Sequence, residues 1–540
     1  MGEFMATQRQ SLIPGWMLPG ALAASLLVVL AITTLTALLW QHSEQSCLTL
    51  LGDPWLWHVI GFSFNQALLS TLLSVAPAIV VARTLWRCHF PGREWLLRLC
   101  SVTLVMPVLV VVFGILSVYG RQGWIAQIAA LSGFDWDFSP YGLHGILLAH
   151  VFFNLPLSAR LLLQTLERIP NEQRQLAAQL SITGWNHFRL VEWPWLRRQL
   201  LSCSMLVFML CFASFAIVLT LGGGPQATTL DLAIYQALSY DYDPHQAAFL
   251  ALLQLFCYTG FVLISQRLSK GVPVDESLGG CWRNRQQPLG QRLADILVIL
   301  LTLLLLLPPL LAVVINGIHH STTTVLTHHT LWIALLTSLR IAIGAAVVSV
   351  ILTLMLLWSS RELRLRQRIL PSQLLEMSGM LILAMPSIVL ASGVFLLLNF
   401  TIGLPQSIAG LVIMINALMA IPFVMKVLEH PMLEIAERYN LLCLSLNIHG
   451  WNRLRLIELR ALRRPLTQAL AFAATLSIGD FGMMALFGNN DFITLPFYLY
   501  QQLGAYRSDD GAVTALMLLI LCLLLFTLIE KVTHPYANTH

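Results

Sequence analysis

The chain has 540 residues, 57% of them hydrophobic and only 11% charged, with a formal net charge of +5. Its mean hydropathy is +0.75. A soluble protein carries about 25% charged residues, so this supply cannot cover a water-facing surface. Disordered chains are charge-rich and apolar-poor, and that class is excluded as well. What remains is an all-α polytopic membrane protein.

A spanning helix needs ~20 apolar residues, and apolar runs between polar breaks predict about twelve spans. In chain order they are 17–40, 58–82, 99–119, 145–166, 201–221, 246–266, 293–316, 331–358, 378–398, 408–428, 467–487 and 512–531. Residues Met1 to Phe4 read as a vector scar ahead of a native start at Met5. No cleavable signal peptide is expected, because the first apolar run is long enough to span. Nine cysteines are scattered without a CxxC pair, which suits small buried hydrophobes rather than a disulfide or metal framework.

Orientation follows from where the charge sits. Loops after even-numbered spans hold Arg83, Arg87, Arg93 and Arg98, then Arg168, Arg174, Arg189, Arg197 and Arg198. The same side collects Arg361, Arg364, Arg366 and Arg368, and later Arg453, Arg455, Arg460, Arg463 and Arg464. The opposite loops hold little beyond Arg121 and Arg507. This asymmetry predicts that the arginine-rich side and both termini are cytoplasmic.

The chain also repeats itself. Leu180 to Leu200 reads LSITGWNHFRLVEWPWLRRQL and Leu446 to Leu466 reads LNIHGWNRLRLIELRALRRPL. Gly184, Trp185, Asn186, Arg189 and Glu192 match Gly450, Trp451, Asn452, Arg455 and Glu458 without a gap. Other pairs keep the same order: Trp57 and Ser63 with Trp332 and Ser338, Met106-Pro107 and Gly114 with Met385-Pro386 and Gly393, Pro156 with Pro422, and Tyr235-Gln236 with Tyr500-Gln501. Six spans per half keep both halves in one orientation, a parallel duplication. The expected division is a first half at 5–266, a breaker-rich cytoplasmic linker at 267–291 and a second half at 292–540.

In each half the longest arginine-side loop, between the fourth and fifth spans, is the repeated element. Glu172 to Leu180 predicts a short amphipathic helix with Leu176, Ala177 and Leu180 on one side, and Gly184 permits a turn after it. Such a loop either lies on the membrane surface, held by its arginines, or presents a compact knob to a cytoplasmic partner.

This pattern resembles the EAA loop of ABC-importer permeases, a Glu-Ala-Ala start followed by a glycine and an Ile-x-Leu-Pro end. Gln175, Ala177, Ser181, Val191, Trp193 and Pro194 fall at those spacings. Gln175 replaces the glutamate and Ser181 the glycine, while the second half has Leu441, Asn447 and Arg460 at the equivalent places. Further segments, VFGILSVYGRQGW at Val112–Trp124, HVFFNLPLSARLLLQ at His150–Gln164, LGGGPQATTLDLAIYQALSYDYD at Leu221–Asp243 and LPFYLYQQLGAYRSDDGAVTAL at Leu495–Leu516, are similar to the fused permease subunits of bacterial thiamine and thiamine pyrophosphate importers.

The resemblance implies a type I importer fold in the bacterial inner membrane. Its implied partners, besides the lipid bilayer, are a cytoplasmic ATPase dimer and a periplasmic thiamine-binding protein. It implies that Gln175, Ala177, Ser181, Gly184, Trp185, Glu192 and Pro194, with Asn447, Gly450, Trp451 and Glu458, form the two ATPase-coupling loops. No cofactor is expected on this chain, since ATP and magnesium belong to the partner. The three lysines, Lys270, Lys426 and Lys531, follow Ser269, Met425 and Glu530, so no Gly-Lys-Ser/Thr P-loop exists and no enzyme activity is expected. Fused permeases for ferric iron or another small solute share this pattern. A proton-coupled carrier also has six-plus-six repeats but needs no such loop.

Ionisable groups at bilayer depth are functional candidates by default. Asp480 is the clearest, with Ser214 at the equivalent point of the first half. Its carboxylate suits either a cationic thiazolium or a helix cap. The pairs Pro107/Pro386 and Pro156/Pro422 are expected to bend helices at a gated pathway. Asp241, Asp243, Asp509 and Asp510 are acidic at matching outward positions, where they dock a binding protein or merely face water. His319-His320 and His328-His329 have no first-half counterpart and no acid cluster beside them, so no metal site is expected. No nucleic-acid module is visible.

Overall fold

A computed structural model describes residues 16–40, 52–88, 90–103, 105–133, 136–268, 289–318, 322–401, 408–446, 448, 450–488, 492–505 and 507–533. The expected vector scar at 1–4, most of the linker at 267–291, His319-His320 and Asn447 lie outside the described residues.

The first half runs α1 (Leu18–Leu39), α2 (Pro54–Arg87), α3 (Arg93–Val102), α4 (Val108–Tyr119), α5 (Trp124–Leu131), α6 (Leu143–Glu167), α7 (Asn171–Gln179) and α8 (Gly184–His187). A π-helical turn at Phe188–Glu192 then leads into α9 (Trp193–Phe212), α10 (Phe215–Leu221), α11 (Leu230–Ser239) and α12 (Pro244–Leu268). The second half opens with α13 (Leu289–Gly317), α14 (Thr322–Thr327), α15 (His329–Leu365), α16 (Ile369–Met380), α17 (Ser387–Thr401), α18 (Ile408–Arg438), α19 (Asn440–Ser445) and α20 (Gly450–Arg453). Another π turn, Leu454–Glu458, precedes α21 (Leu459–Ala461), α22 (Arg463–Gly479), α23 (Gly482–Phe487), α24 (Leu495–Gly504) and α25 (Ser508–Thr533).

Among the described residues ten helices are long and apolar enough to cross a membrane. The two expected spans without such a helix are 378–398 and 467–487. The first yields α17, which starts only after Pro386, and the second is cut at Asp480 into α22 and α23. In the first half the matching cut falls at Ser214, between α9 and α10. Each fifth span is therefore a broken helix, and both breaks occur at the same repeat position.

The prolines divide into two kinds. Pro156 and Pro422 lie inside α6 and α18, where each removes a backbone hydrogen bond as expected. Pro107 and Pro386 do not bend helices. Pro107 is the N-cap of α4 and Pro386 immediately precedes α17. A helix's first N–H groups have no partner in the helix, so proline there starts the helix without cost.

The core of each half is the triangle of its second, fourth and fifth spans: α2, α6 and α9 in one, α15, α18 and α22 in the other. The first helix of each half is exchanged. Helix α1 packs on α15, α16 and α17 of the second half, while α13 packs on α2 and α4 of the first. The last helices reach across as well, α12 to α17 and α25 to α4.

Side chains fasten these exchanges. Arg87 at the end of α2 pairs with Asp295 of α13 at 2.7 Å, and Thr84 and Cys88 donate to the same carboxylate at 3.1 and 3.3 Å. At the other seam the Gly20 N–H, in the first turn of α1, donates to Ser359 Oγ at 2.9 Å.

The repeated glycines explain the closeness. A Cβ on Gly114 would lie 2.4 Å from the Pro309 carbonyl oxygen of α13. One on Gly393 would lie 3.0 Å from Thr34 of α1. Both glycines admit the other half's first helix.

Candidate functional site

The two long loops are held by their glutamates. In the first half Glu192 ends the π turn and its side chain is 1% exposed. Arg83 of α2 donates to one of its oxygens at 2.5 Å, and His187 Nδ1 lies 3.1 Å from the other. In the second half Glu458 ends the other π turn and receives Arg361 of α15 together with Arg453 Nε at 2.9 Å. His187 and Arg453 are repeat equivalents. Buried carboxylates of this kind are stable only when paired. Each loop is thus clamped to the end of its half's longest core helix.

Aromatic groups reinforce the first clamp. The Arg83 guanidinium lies 4.1 Å from the Phe188 ring centre. Trp86 of α2 stacks on His187 at 6.3 Å and receives the Arg174 guanidinium at 5.0 Å. Arg174 also donates to the Leu166 carbonyl at 2.9 Å, tying α7 to the end of α6.

Outside the clamp the loop is exposed, with large apolar side chains set among polar ones. Helix α7 forms where expected, but only Ala177 and Arg174 face inward. Leu176 and Leu180 point outward, with Trp185 at 70% and Leu190 at 60% exposure; Gln175 is exposed too. Leu441, Leu442, Leu446 and Leu456 are exposed on the second loop. Patches of this sort mark interaction surfaces. Pro194 sits in the first turn of α9. Ser181, standing where the resembled loop has glycine, adopts φ +53, and Gly184 adopts φ +60. Gly450 and Trp451 begin α20.

A pair of cavities lies where the broken helices meet. The larger, about 360 Å³, is lined by Asn416, Met419, Phe423, Phe472, Tyr258 and Asp480, with Met106, Met385 and Pro386. The other, about 320 Å³, is lined by His150, Phe153, Asn154, Leu157, Ser214 and Asp480. Most of these linings are repeat equivalents: His150 with Asn416, Phe153 with Met419, Leu157 with Phe423, Ser214 with Asp480. The cavities are two copies of one chamber, and Val108, Ser387 and Asp480 line both.

Their polar groups differ. His150 lies 2.8 Å from Ser70 Oγ and 2.7 Å from Ser214 Oγ, so both ring nitrogens are engaged. Asn416 donates to Ser477 Oγ at 2.9 Å. Asp480 is the C-cap residue of α22, and its Oδ1 accepts from the Gly482 N–H at 3.3 Å. It does cap a helix break, and it also lines both chambers.

Four aromatic rings adjoin the chambers, a feature the sequence reading did not single out. Phe215 and Phe481, next in sequence to Ser214 and Asp480, stack with centroids 6.1 Å apart. Tyr235 packs on Phe215 at 5.3 Å and Tyr500 on Phe481 at 5.0 Å. The repeated Tyr-Gln pairs were the signal available in the sequence.

The acidic outward residues have local work to do. Asp243 accepts the His245 and Gln246 N–H groups, each at 3.0 Å, at the start of α12. Asp509 and Asp510 lie in the first turn of α25, where negative charge favours the helix. Asp241 is exposed.

A duplicated helical bundle with two clamped loops and a chamber between its halves defines a membrane transport permease. A family model described as "Binding-protein-dependent transport system inner membrane component" matches residues 76–272 and 365–533, one stretch around each loop. The chain belongs to this family of bacterial inner-membrane transport components. The thiamine transport system permease protein ThiP of Escherichia coli (strain K12) is 64% identical over 98% of both chains. That of Salmonella typhimurium is 62% identical over 99% of this chain and 100% of its own length. The Haemophilus influenzae protein of the same name is 45% identical over 88% of this chain and 89% of its own.

Proposed function

We propose that this chain is the permease of an ATP-driven importer that moves thiamine and its phosphate esters from periplasm to cytoplasm. The observation that carries this reading is the duplicated loop, buried at its glutamate while Leu176, Leu180, Trp185 and Leu190 stand exposed among polar side chains. A passive anchor needs no ion pair to a core helix. A lever does.

In this reading the arginine-rich side and both termini are cytoplasmic, and the two loops seat on a separate ATPase dimer. The chain lacks a phosphate-cradling Gly-Lys-Ser/Thr sequence, so hydrolysis belongs to that partner. Gln175, Leu176, Trp185 and Leu441 supply contact surface, while Glu192 and Glu458 pass displacement to α2 and α15. A helix rises ~1.5 Å per residue, so Arg83 is about 30 Å from Ser63 at the far part of α2. Ser63 Oγ accepts the Leu230 N–H that opens α11 at 3.0 Å, and Ser338 Oγ accepts the Leu495 N–H that opens α24 at 2.8 Å. Those short helices carry Tyr235 and Tyr500. Each half thus links loop, long helix and aromatic cluster, a route by which the motor opens one face and closes the other. Asp241 and Asp509 are exposed on the face offered to a periplasmic thiamine-binding protein.

The test is thiamine-dependent growth of an uptake-deficient auxotroph with and without this gene, with pull-down of the ATPase. Growth and a stoichiometric ATPase support the reading. Growth with both loops scrambled overturns it.

A further inference from the structure

Among the described residues Asp480 is the sole carboxylate on the walls of the two chambers, and it lines both. Its repeat partner Ser214 is already engaged by His150. The described walls hold no lysine or arginine. The charge is therefore on one half only, in a pair of chambers that is otherwise nearly duplicated. Capping the break explains one oxygen of Asp480, but an uncharged asparagine caps equally well, and Ser214 at the other break makes no side-chain cap hydrogen bond at all.

The larger chamber adds aromatic faces. Phe423 and Phe472 lie 6.0 Å apart at 53°, and Tyr258 lines the same space. A cation gains from such faces, and more from a carboxylate in a medium of low dielectric constant. Volumes of about 360 and 320 Å³ fall in the range that holds small organic ligands, ~300–1,000 Å³.

We propose that the permease itself binds its substrate in this paired chamber, with Asp480 as the charge-recognising residue and a flat aromatic cation of the thiazolium class as ligand. This deepens the thiamine reading and rests on it. The positively charged ring sits beside Asp480 in the chamber lined by Phe423, Phe472 and Tyr258. The uncharged part of the molecule extends toward His150 and Asn154. Recognition in the permease then supplements that of a delivering protein, and neutral molecules of the same shape are passed less well.

Asp480→Asn is the decisive variant, because the amide oxygen still accepts the Gly482 N–H while the charge is gone. Labelled thiamine is titrated against the purified permease–ATPase complex without binding protein, and uptake and melting temperature are measured for the complete system in vesicles. Wild type is expected to bind saturably. D480N should weaken binding about tenfold or more, D480E by less, with the melting temperature of D480N unchanged. The uncharged aminopyrimidine half of thiamine should compete poorly. Equal affinity in wild type and D480N overturns the proposal, as does wild-type uptake without saturable binding. Parallel loss of binding and melting temperature in D480N and D480E makes the residue merely structural and also overturns it. Wild type that takes up no thiamine overturns the thiamine reading itself.

Discussion

Phe215 and Phe481 hold the same place in the two repeats and lie ring on ring, their planes at 16° and their centres 6.1 Å apart. Tyr235 and Tyr500 close the row from either side. Each phenylalanine follows the residue at which its fifth span breaks, so the stack is placed by both halves together. In the proposed transport cycle this stack is the closure that separates when the halves turn relative to each other.

Truncating the stack should therefore open the molecule. Buried Phe→Ala changes cost about 3–5 kcal/mol, so the double variant F215A/F481A is expected to fold less stably and to seal less well. Release of preloaded thiamine from vesicles, without ATP, measures the seal. Vesicles as tight as wild type would remove the stack from any role in closure.

The glutamate clamps make a second expectation. Removing one partner of a buried ion pair costs about 3–5 kcal/mol, and Glu192 and Glu458 are each 1% exposed. E192Q and E458Q should lower the thiamine carried per ATP hydrolysed by more than they lower ATPase association. The double variant should lose uptake almost wholly. Uptake and hydrolysis that fall in step would point to lost assembly instead.

Gly114 tests the exchanged helices. Adding a methyl group puts a carbon 2.4 Å from the Pro309 carbonyl, and backbone there cannot yield as a side chain tip can. Overpacking costs about 1–3 kcal/mol. G114A should lower the melting temperature in detergent. Gly61, with nothing within 4 Å of an added Cβ, is the control, and equal effects at both sites would contradict the close seam.

Ser181 offers a gain rather than a loss. Its φ of +53 lies in the left-handed region, where a side chain costs roughly 1–2 kcal/mol. S181G should raise stability by up to about 1 kcal/mol and leave uptake at the wild-type level. A fall in melting temperature would show that the hydroxyl matters more than the backbone.

Much of this was legible in the chain because repeats keep their register. Gly184, Glu192, Gly450 and Glu458 announce two equivalent loops, and Ser214 and Asp480 mark two equivalent breaks. The arginines that clamp the glutamates were hidden. By the Trp57–Trp332 register, Arg83 aligns with Trp358 and Trp86 with Arg361. Arginine and tryptophan have traded places one helical turn apart, on one face, so the contact survives while the alignment does not. The outward turn of Leu176 and Leu180 was hidden as well, because a loop's apolar side faces inward only if nothing else occupies the interior. Here Arg174 and Trp86 occupy it.

Composition and spacing alone determined that the chain is a duplicated helical membrane protein with two repeated arginine-side loops. Those are properties of the chain's own periodicity and hydropathy, set by the solvent each segment must enter. Only the tertiary structure decided which half each first helix joins, which arginine meets each glutamate, and that Asp480 opens on a chamber shared by both halves. Most such contacts join residues about one hundred or more positions apart, and packing, not local pattern, selects them.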